Sequence, residues 1–394
     1  MAEYDVAIVG GGPCGGYAAG LLAARGLHVG LFERRRASEI DPSCTGVVGL
    51  PYLGLVDAAR SVVVGEARSV VFVSPSGHNL RVETRSPQAW ILDRAALELE
   101  LLRRAMACGV EVHMGCSVQM IDRDSEGLCL TVVNGWAERR HTAKALVVAS
   151  GVNPSISAIL GLGGIRRYLT GAHALVEIDG LLETEVYLLQ DIERGAFGWL
   201  VPTGEGHARA GTLSARRAGR LLWELLERPD VKRRLRGRVE ALSRRPIPIS
   251  PLARGHGDRF VVVGDALGAT KPTTGGGLYF GALSARSAAD ALAEAFRLGD
   301  FSARTLAVHD RTWRRECGIE LRRGSMLRQL YSRLSPAVVD RVVSGAERTR
   351  LAERLVSRAT FSFDWHSSTL VLGLVEGLGA SFIPAVVERS GGHD

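Results

Sequence analysis

At 394 residues the chain is too long for one compact core, and a composition 46% hydrophobic and 23% charged, without low-complexity tracts, excludes a disordered or fibrous protein. A net charge of +7, with basic runs at Arg34-Arg35-Arg36, Lys232 to Arg238 and Arg322-Arg323, fits solvated helix faces, a membrane surface or a phosphorylated substrate. No nucleic-acid module is visible, and the six cysteines (Cys14, Cys44, Cys108, Cys116, Cys129, Cys317) show no CxxC pair and no metal-ligand spacing.

Val6 to Val9 predicts a short buried strand, Gly10 to Gly15 a glycine turn, Tyr17 to Arg25 an alanine-rich helix and His28 to Phe32 a second strand. That is a βαβ unit of about thirty residues, the size of a nucleotide-binding half. The same apolar stretch imitates a secretion signal, but it lacks a basic leader and is punctuated by turn glycines. A helix is predicted over Asp93 to Ala107, with Leu97, Leu101 and Leu102 on one face, then strands at 110–113, 117–122, 128–133 and Ala145 to Ala149. Residues near 50–90 and 152–257 alternate in strand fashion, at Ala172 to Ile178, Glu185 to Leu189, Phe197 to Val201 and Ala208 to Leu213. Such segments suit an inserted antiparallel sheet. Phe260 to Gly264 reads as a buried strand, Gly277 to Phe296 as a helix, and the chain beyond 300 as mainly helical. The apolar stretch Leu370 to Val387 holds Glu376 and Pro384 and makes a poor membrane span. The chain is expected to be cytoplasmic, either soluble or peripheral to a membrane.

Chemistry enters at Gly10-x-Gly12-Pro13-x-Gly15, directly after a predicted strand and opening a predicted helix. The first glycine permits the tight turn, the second lets backbone amides reach a pyrophosphate, and the third lets helix and strand pack closely. Glu33, at the end of the second strand, stands where a carboxylate accepts ribose hydroxyls. Arg34, next to it, would contact a diphosphate, a membrane surface, the adenosine half of a cofactor or solvent. No second dinucleotide fingerprint is convincing: Gly161-Leu162-Gly163-Gly164 is too short and lacks a following acid. Only Cys317 lies beyond Cys129, which excludes a cysteine-ligated iron–sulfur cluster in the C-terminal half.

Gly264-Asp265-Ala266, after its strand, resembles the distal motif of the para-hydroxybenzoate hydroxylase superfamily of flavoproteins. That resemblance implies FAD, with Asp265 on the ribityl chain, and gives Asp93-Arg94 a place near the FAD phosphate or ribityl region. The longer run, through Pro272-Thr273-Thr274-Gly275-Gly276-Gly277, is similar to the second FAD motif of the geranylgeranyl reductase family. Phe197-Gly198-Trp199-Leu200-Val201-Pro202 resembles that family's Tyr-x-Trp-x-Phe-Pro pocket motif, with Phe197, Trp199 and Pro202 as substrate-binding residues. Ser43-Cys44-Thr45-Gly46 falls where members carry a cysteine–glycine segment near the flavin.

The resemblance implies an α/β fold: a discontinuous Rossmann-type FAD-binding domain (1–50, 88–151, 258–300), an inserted antiparallel-sheet substrate-binding domain (51–87, 152–257) and a helical C-terminal region (301–394). It implies hydride transfer from reduced FAD to a carbon–carbon double bond of a prenyl chain, with Cys44, or Tyr279, near the flavin as catalytic residue. The reductant would be NAD(P)H or a ferredoxin drawn by the basic surface, and the substrate a prenylated small molecule or lipid. Two other readings stay open: a flavin-dependent monooxygenase or halogenase, and an electron carrier to a membrane quinone. Halogenases carry Trp-x-Trp-x-Ile-Pro, where this chain has Phe197 in the first position.

Overall fold

The computed structural model describes residues 3–40, 44–123, 127–237, 239, 242–357 and 361–373; Ser43, Arg238 and residues 374–387 of the late apolar stretch lie outside them. Strand β1 (Tyr4–Val9) leads through the glycine turn into α1 (Pro13–Ala23) and on to β2 (Val29–Glu33). The helix starts before its alanine pattern does because Pro13 occupies the first turn. There a missing N–H costs nothing, and the fixed φ is already helical.

A three-stranded antiparallel sheet comes next, built by β3 (Val47–Gly49), which precedes the short helix α2 (Tyr52–Val56), and by β4 (Val63–Ala67). Strands β5 (Ser69–Val73) and β6 (Asn79–Glu83) leave it for another sheet, and β7 (Ala89–Leu92) returns as its middle strand. Helix α3 (Arg94–Ala107) is capped by Asp93, whose carboxylate accepts from the Ala95 and Ala96 amides. Such a cap contributes about 1 kcal/mol.

Strands β8 (Glu111–Met114), β9 (Ser117–Arg123), β10 (Leu128–Asn134) and β11 (Ala137–Val148) follow. β11 is much longer than its apolar end predicts. Its polar first half pairs antiparallel with β10, and its buried second half lies parallel to β1. The polar half carries no burial pattern, so periodicity alone misses it.

After α4 (Pro154–Ile159) the chain builds β12 (Tyr168–Ile178), β13 (Thr184–Tyr187), β14 (Phe197–Gly204) and β15 (His207–Ser214). Helices α5 (Ala218–Leu226) and α6 (Pro229–Lys232) precede β16 (Leu235–Arg236) and β17 (Ser243–Pro248). The strands line up as β16-β12-β15-β14-β13-β5-β6, with β17 also on β12, and all but the β13–β5 pair are antiparallel. Leu221, Leu222 and Leu225 of α5 cover one face over Ala172, Leu200 and Ala208. A smaller cluster of Leu169, Leu213 and Ile249, with Phe197, Trp199 and Ile247, forms elsewhere on this sheet.

β18 (His256–Gly257) and β19 (Phe260–Val262) bring the chain back beside β11, completing the order β18-β19-β11-β1-β2-β8. Its centre is parallel, as α/β nucleotide folds require. Helix α7 (Leu278–Leu298) packs on α1, and α8 (Ala303–Arg333) packs on α7. Then come α9 (Pro336–Thr349) and α10 (Leu351–Val356). No helix among the described residues is long and apolar enough to cross a membrane.

Candidate active site

The three glycines of the first turn do different things. A Cβ on Gly15 would lie 1.9 Å from the Gly10 carbonyl oxygen, and one on Gly10 would lie 2.3 Å from that of Ala149. Both positions are therefore fixed by protein packing, and Gly10 also has φ +106°. A Cβ on Gly12 would meet nothing within 4 Å. Gly12 is the N-cap of α1, with no side chain capping it. Its missing Cβ opens a path to the first-turn amides, where an anionic group is stabilised by free N–H donors and the helix dipole.

Above this turn lies a relay of buried charges. Glu33 accepts from the Gly11 amide (2.6 Å), the Arg35 amide (2.9 Å) and the Arg35 guanidinium (2.9 Å to Nε). Burial pushes its carboxyl up, but the Arg35 guanidinium and the two amides outweigh that and hold it below the usual carboxylate range. Arg35 also reaches Glu98 (3.0 Å), which takes Arg94 on its other oxygen (3.0 Å). Sequence reading named Arg34 here, but Arg34 is exposed and its neighbour turns inward. A ribose hydroxyl reaches Glu33 only if the Arg35 fork yields lone pairs to it.

Arg94 is 8% exposed, and its Nε and Nη1 have no hydrogen-bond partner. Two orphaned donors on a buried cation are costly unless something anionic or hydroxylated completes them. Together with the open approach at Gly12, they fit the diphosphate and ribityl parts of FAD.

The distal motif meets the first one directly. Gly264, at φ +64°, backs onto Cys14: a Cβ there would lie 2.9 Å from Sγ, and one on Gly281 of α7 only 2.5 Å. Cys14 is thus required to be small, and burial pushes its thiol up to about 12. Asp265 has an open surface, yet protein around it raises its carboxyl above the usual value, opposed by the charges of Arg94 and Arg245. Gly277, the N-cap of α7, sits against the Asp265 carboxylate, since a Cβ there would come within 2.9 Å of Oδ1.

What the sequence did not show is how this loop is tied. Lys271, 4% exposed, donates to Asp364 (2.9 Å), and the other Asp364 oxygen accepts the Gly49 amide of β3 (2.9 Å). His366 Nε2 pairs with the Thr273 hydroxyl at 2.9 Å, and Trp365 packs edge-on against Phe280 and Tyr279. Burial, with the Lys271 charge, lowers His366 to about 4, so its imidazole is neutral. Lys271 did leave a signal: it is the lone charge between Ala266 and Gly277. Asp364 and His366 left none.

Cys44 is exposed, and its carbonyl accepts from Arg209 of β15 (2.5 Å). Thr45 Oγ1 accepts from the Val47 amide at 3.5 Å. Gly46 has φ +71°, and a Cβ there would strike the Leu92 carbonyl oxygen at 2.2 Å. Tyr279 is half-buried in the first turn of α7. The rings of Phe197 and Trp199 lie 5.8 Å apart, and the Trp199 indole rests on Gly211, where a Cβ would come within 2.3 Å of the ring. Their cluster touches the distal loop, because a Cβ on Gly275 would lie 3.2 Å from Ile247 and 3.5 Å from Leu213. Gly276, next to it, lies over the Lys271 stem. Pro202 is not brought together with the two aromatics. Its register opposite Ala208 puts it on the other face of the pleated strand.

The FAD binding domain family matches residues 3–311 of the chain. The chain is 26% identical over 367 residues to the digeranylgeranylglycerophospholipid reductase of Methanospirillum hungatei, covering 89% of this chain and 91% of that one. It is 28% identical over 316 residues to the chloroplastic geranylgeranyl diphosphate reductase of Nicotiana tabacum, covering 75% and 67%. A solved geranylgeranyl bacteriochlorophyll reductase-like protein of Thermoplasma acidophilum has a similar fold, with a TM-score of 0.84 at 20% identity over 96% and 97% of the two chains.

Proposed function

The chain belongs to the FAD-binding domain family, where it resembles the geranylgeranyl reductases, and from that premise we propose that it hydrogenates carbon–carbon double bonds of a prenyl chain. The observation that carries the reading is the contact between Gly275 and the apolar cluster of Leu213, Ile247, Phe197 and Trp199. It sets a hydrocarbon wall against the loop that would hold the flavin, as an unpolarised alkene demands.

In this reading residues 1–50, 88–151 and 258–300 bind the cofactor, residues 51–87 and 152–257 the substrate, and 301–394 are the C-terminal region, with helices α8, α9 and α10 among its described residues. Gly10, Gly12, Pro13, Gly15 and Arg94 hold the diphosphate side. Glu33 and Arg34 serve the ribose side, Asp265 the ribityl chain, and Cys44, Thr45, Gly46, Gly275, Gly276 and Gly277 the ring. Bound FAD, once reduced, supplies hydride. The protein's own part is to exclude water with Phe197 and Trp199 and to deliver a proton to the second carbon. The Cys44 thiol is the first candidate for that proton and the Tyr279 hydroxyl the second. The substrate is a prenylated small molecule or lipid, met at a membrane surface, and the reductant is NAD(P)H or a ferredoxin.

The test is anaerobic: the reduced holoprotein is mixed with geranylgeranyl diphosphate or a geranylgeranylated ether lipid, and flavin reoxidation is followed with product mass. A gain of two hydrogens per reoxidised flavin supports the reading. Reduced flavin that stays unchanged until oxygen is admitted, then forms an oxygen adduct, replaces it with a monooxygenase or halogenase. Cys44→Ala is expected to slow reoxidation by alkene about 100-fold, the size of a lost proton donor, with FAD content unchanged.

A further inference from the structure

Beyond the cofactor cleft, a recess of about 190 Å³ opens between the start of β12, the turn after β17 and one side of α8. Its lining includes Arg167, Arg314, Arg322, Ser250, Ser325 and Trp313, and no carboxylate. Arg167 holds the Ser325 hydroxyl at 2.5 Å. Arg314 is fixed by the Leu252 and Ala253 carbonyls (2.7 and 3.0 Å), with Asp310 3.7 Å from its Nε. Arg322 makes no hydrogen bond or ion pair among the described residues. Trp313 is fully buried and its Nε1 finds no acceptor. Arg167 and Arg322 bring positive charge to this lining with no ion pair among the described residues, Arg314 has only Asp310 at 3.7 Å, and the buried indole N–H without an acceptor adds to the cost. A multivalent oxyanion relieves both.

The recess adjoins the proposed hydrocarbon wall at a shared residue. Ile249 belongs at once to its lining and to the cluster of Phe197 and Trp199. One turn beyond Ser325 on α8, Arg328 lies over the Phe197 ring at 5.7 Å. Gly324, next to Ser325, packs on Pro272 of the distal loop, where a Cβ would come within 3.2 Å.

Resting on the prenyl-reduction reading, we propose that this recess binds the phosphate-bearing head of the substrate, anchoring it while the hydrocarbon runs along Ile249 toward Trp199. A free diphosphate ester and a glycerophospholipid head share this chemistry. Guanidinium groups suit it because they stay charged and grip phosphate oxygens in pairs.

The test compares KM for geranylgeranyl diphosphate, a geranylgeranylated glycerophospholipid and uncharged geranylgeraniol in the holoenzyme and in Arg322→Glu and Arg167→Ala. Both variants change exposed side chains, and circular dichroism and FAD content verify their fold. KM for a phosphorylated substrate is expected to rise about tenfold or more relative to KM for the alcohol, the loss of a charge-assisted contact. A rise for the diphosphate alone assigns the recess to a free diphosphate, and a rise for the glycerophospholipid alone assigns it to a lipid head. Equal changes on all three substrates, or none, overturn the proposal. If no prenyl compound reoxidises the reduced flavin, the reading of the reaction has failed, but the recess is still tested by inorganic pyrophosphate. Saturable binding that Arg322→Glu weakens about tenfold supports the site, and binding that ignores the variant removes it.

Discussion

Gly12 and Gly15 are three residues apart in one motif, yet they answer to different partners. Gly15→Ala forces a Cβ into the Gly10 carbonyl and is expected to leave little folded protein. Gly12→Ala adds a methyl to open space, so unfolding by urea is expected to stay within about 1 kcal/mol of the parent. FAD retention on a desalting column is expected to fall at least about tenfold in Gly12→Ala, because the methyl occupies the approach to the amides. Equal damage from both substitutions would count against a ligand at Gly12. Arg94→Met separates packing from charge: it deletes the orphaned Nε and Nη1 while keeping most of the stem. FAD affinity is expected to drop by about 100-fold, on the order of 3 kcal/mol for a desolvated charge-assisted contact. Fluorescence titration of the apoprotein reads this directly. At this scale the sequence was informative about local backbone where chemistry fixes spacing, as at Gly10 and Gly15 in the first glycine turn. It did not show that Arg35 is the arginine turned inward beside Glu33, because which of two adjacent arginines does so depends on Glu98, sixty-odd residues away on a helix the motif does not contain.

Secondary-structure elements were legible wherever burial left a continuous apolar run, as in β1 and β2, or a helical period, as in α3 and α7. They were illegible where a strand is half solvated, as in β11, or where contacts are long-range. The segment around Asp364 to His366 belongs to the second kind. It holds the distal loop through Lys271 and Thr273, and its partners lie ninety residues upstream. Asp364→Ala leaves the Lys271 ammonium buried and unpaired and is expected to lower unfolding free energy by roughly 3–5 kcal/mol, measured by urea denaturation. The Lys271→Met, Asp364→Leu double variant is expected to recover most of that loss. His366 adds a pH dependence. Its folded pKa, about 4, lies below the ordinary 6.5, so the stability it contributes is complete above pH 6.5 and is lost as pH falls toward 4. Between pH 7 and pH 5 the parent is expected to lose about 2 kcal/mol more than His366→Gln. A parallel pair of pH profiles would contradict this assignment.

Across the whole molecule, the proposed cofactor site draws on five separate stretches: the first glycine turn, the Cys44 to Gly46 loop, Arg94 at the start of α3, the distal loop, and the Asp364 to His366 segment that ties it. A chain stopped at residue 357 retains both large sheets but lacks the ties at Gly49, Lys271 and Thr273. It is expected to keep most of its far-ultraviolet circular dichroism and to hold FAD at least about tenfold more weakly, by equilibrium dialysis, since an untied loop must be ordered at the expense of binding. Full-strength retention by the shortened chain would show the ties to be incidental. The clasp of Lys271 on Asp364 has a further consequence in time. A ribosome makes the glycine turn long before Gly264, and Gly264 well before Asp364, at a pace of about 5–20 residues each second. Flavin that meets the growing polypeptide encounters half a cradle, then an unlatched one. Full-strength FAD retention is therefore expected only after the Asp364 to His366 segment has been made and has tied the distal loop.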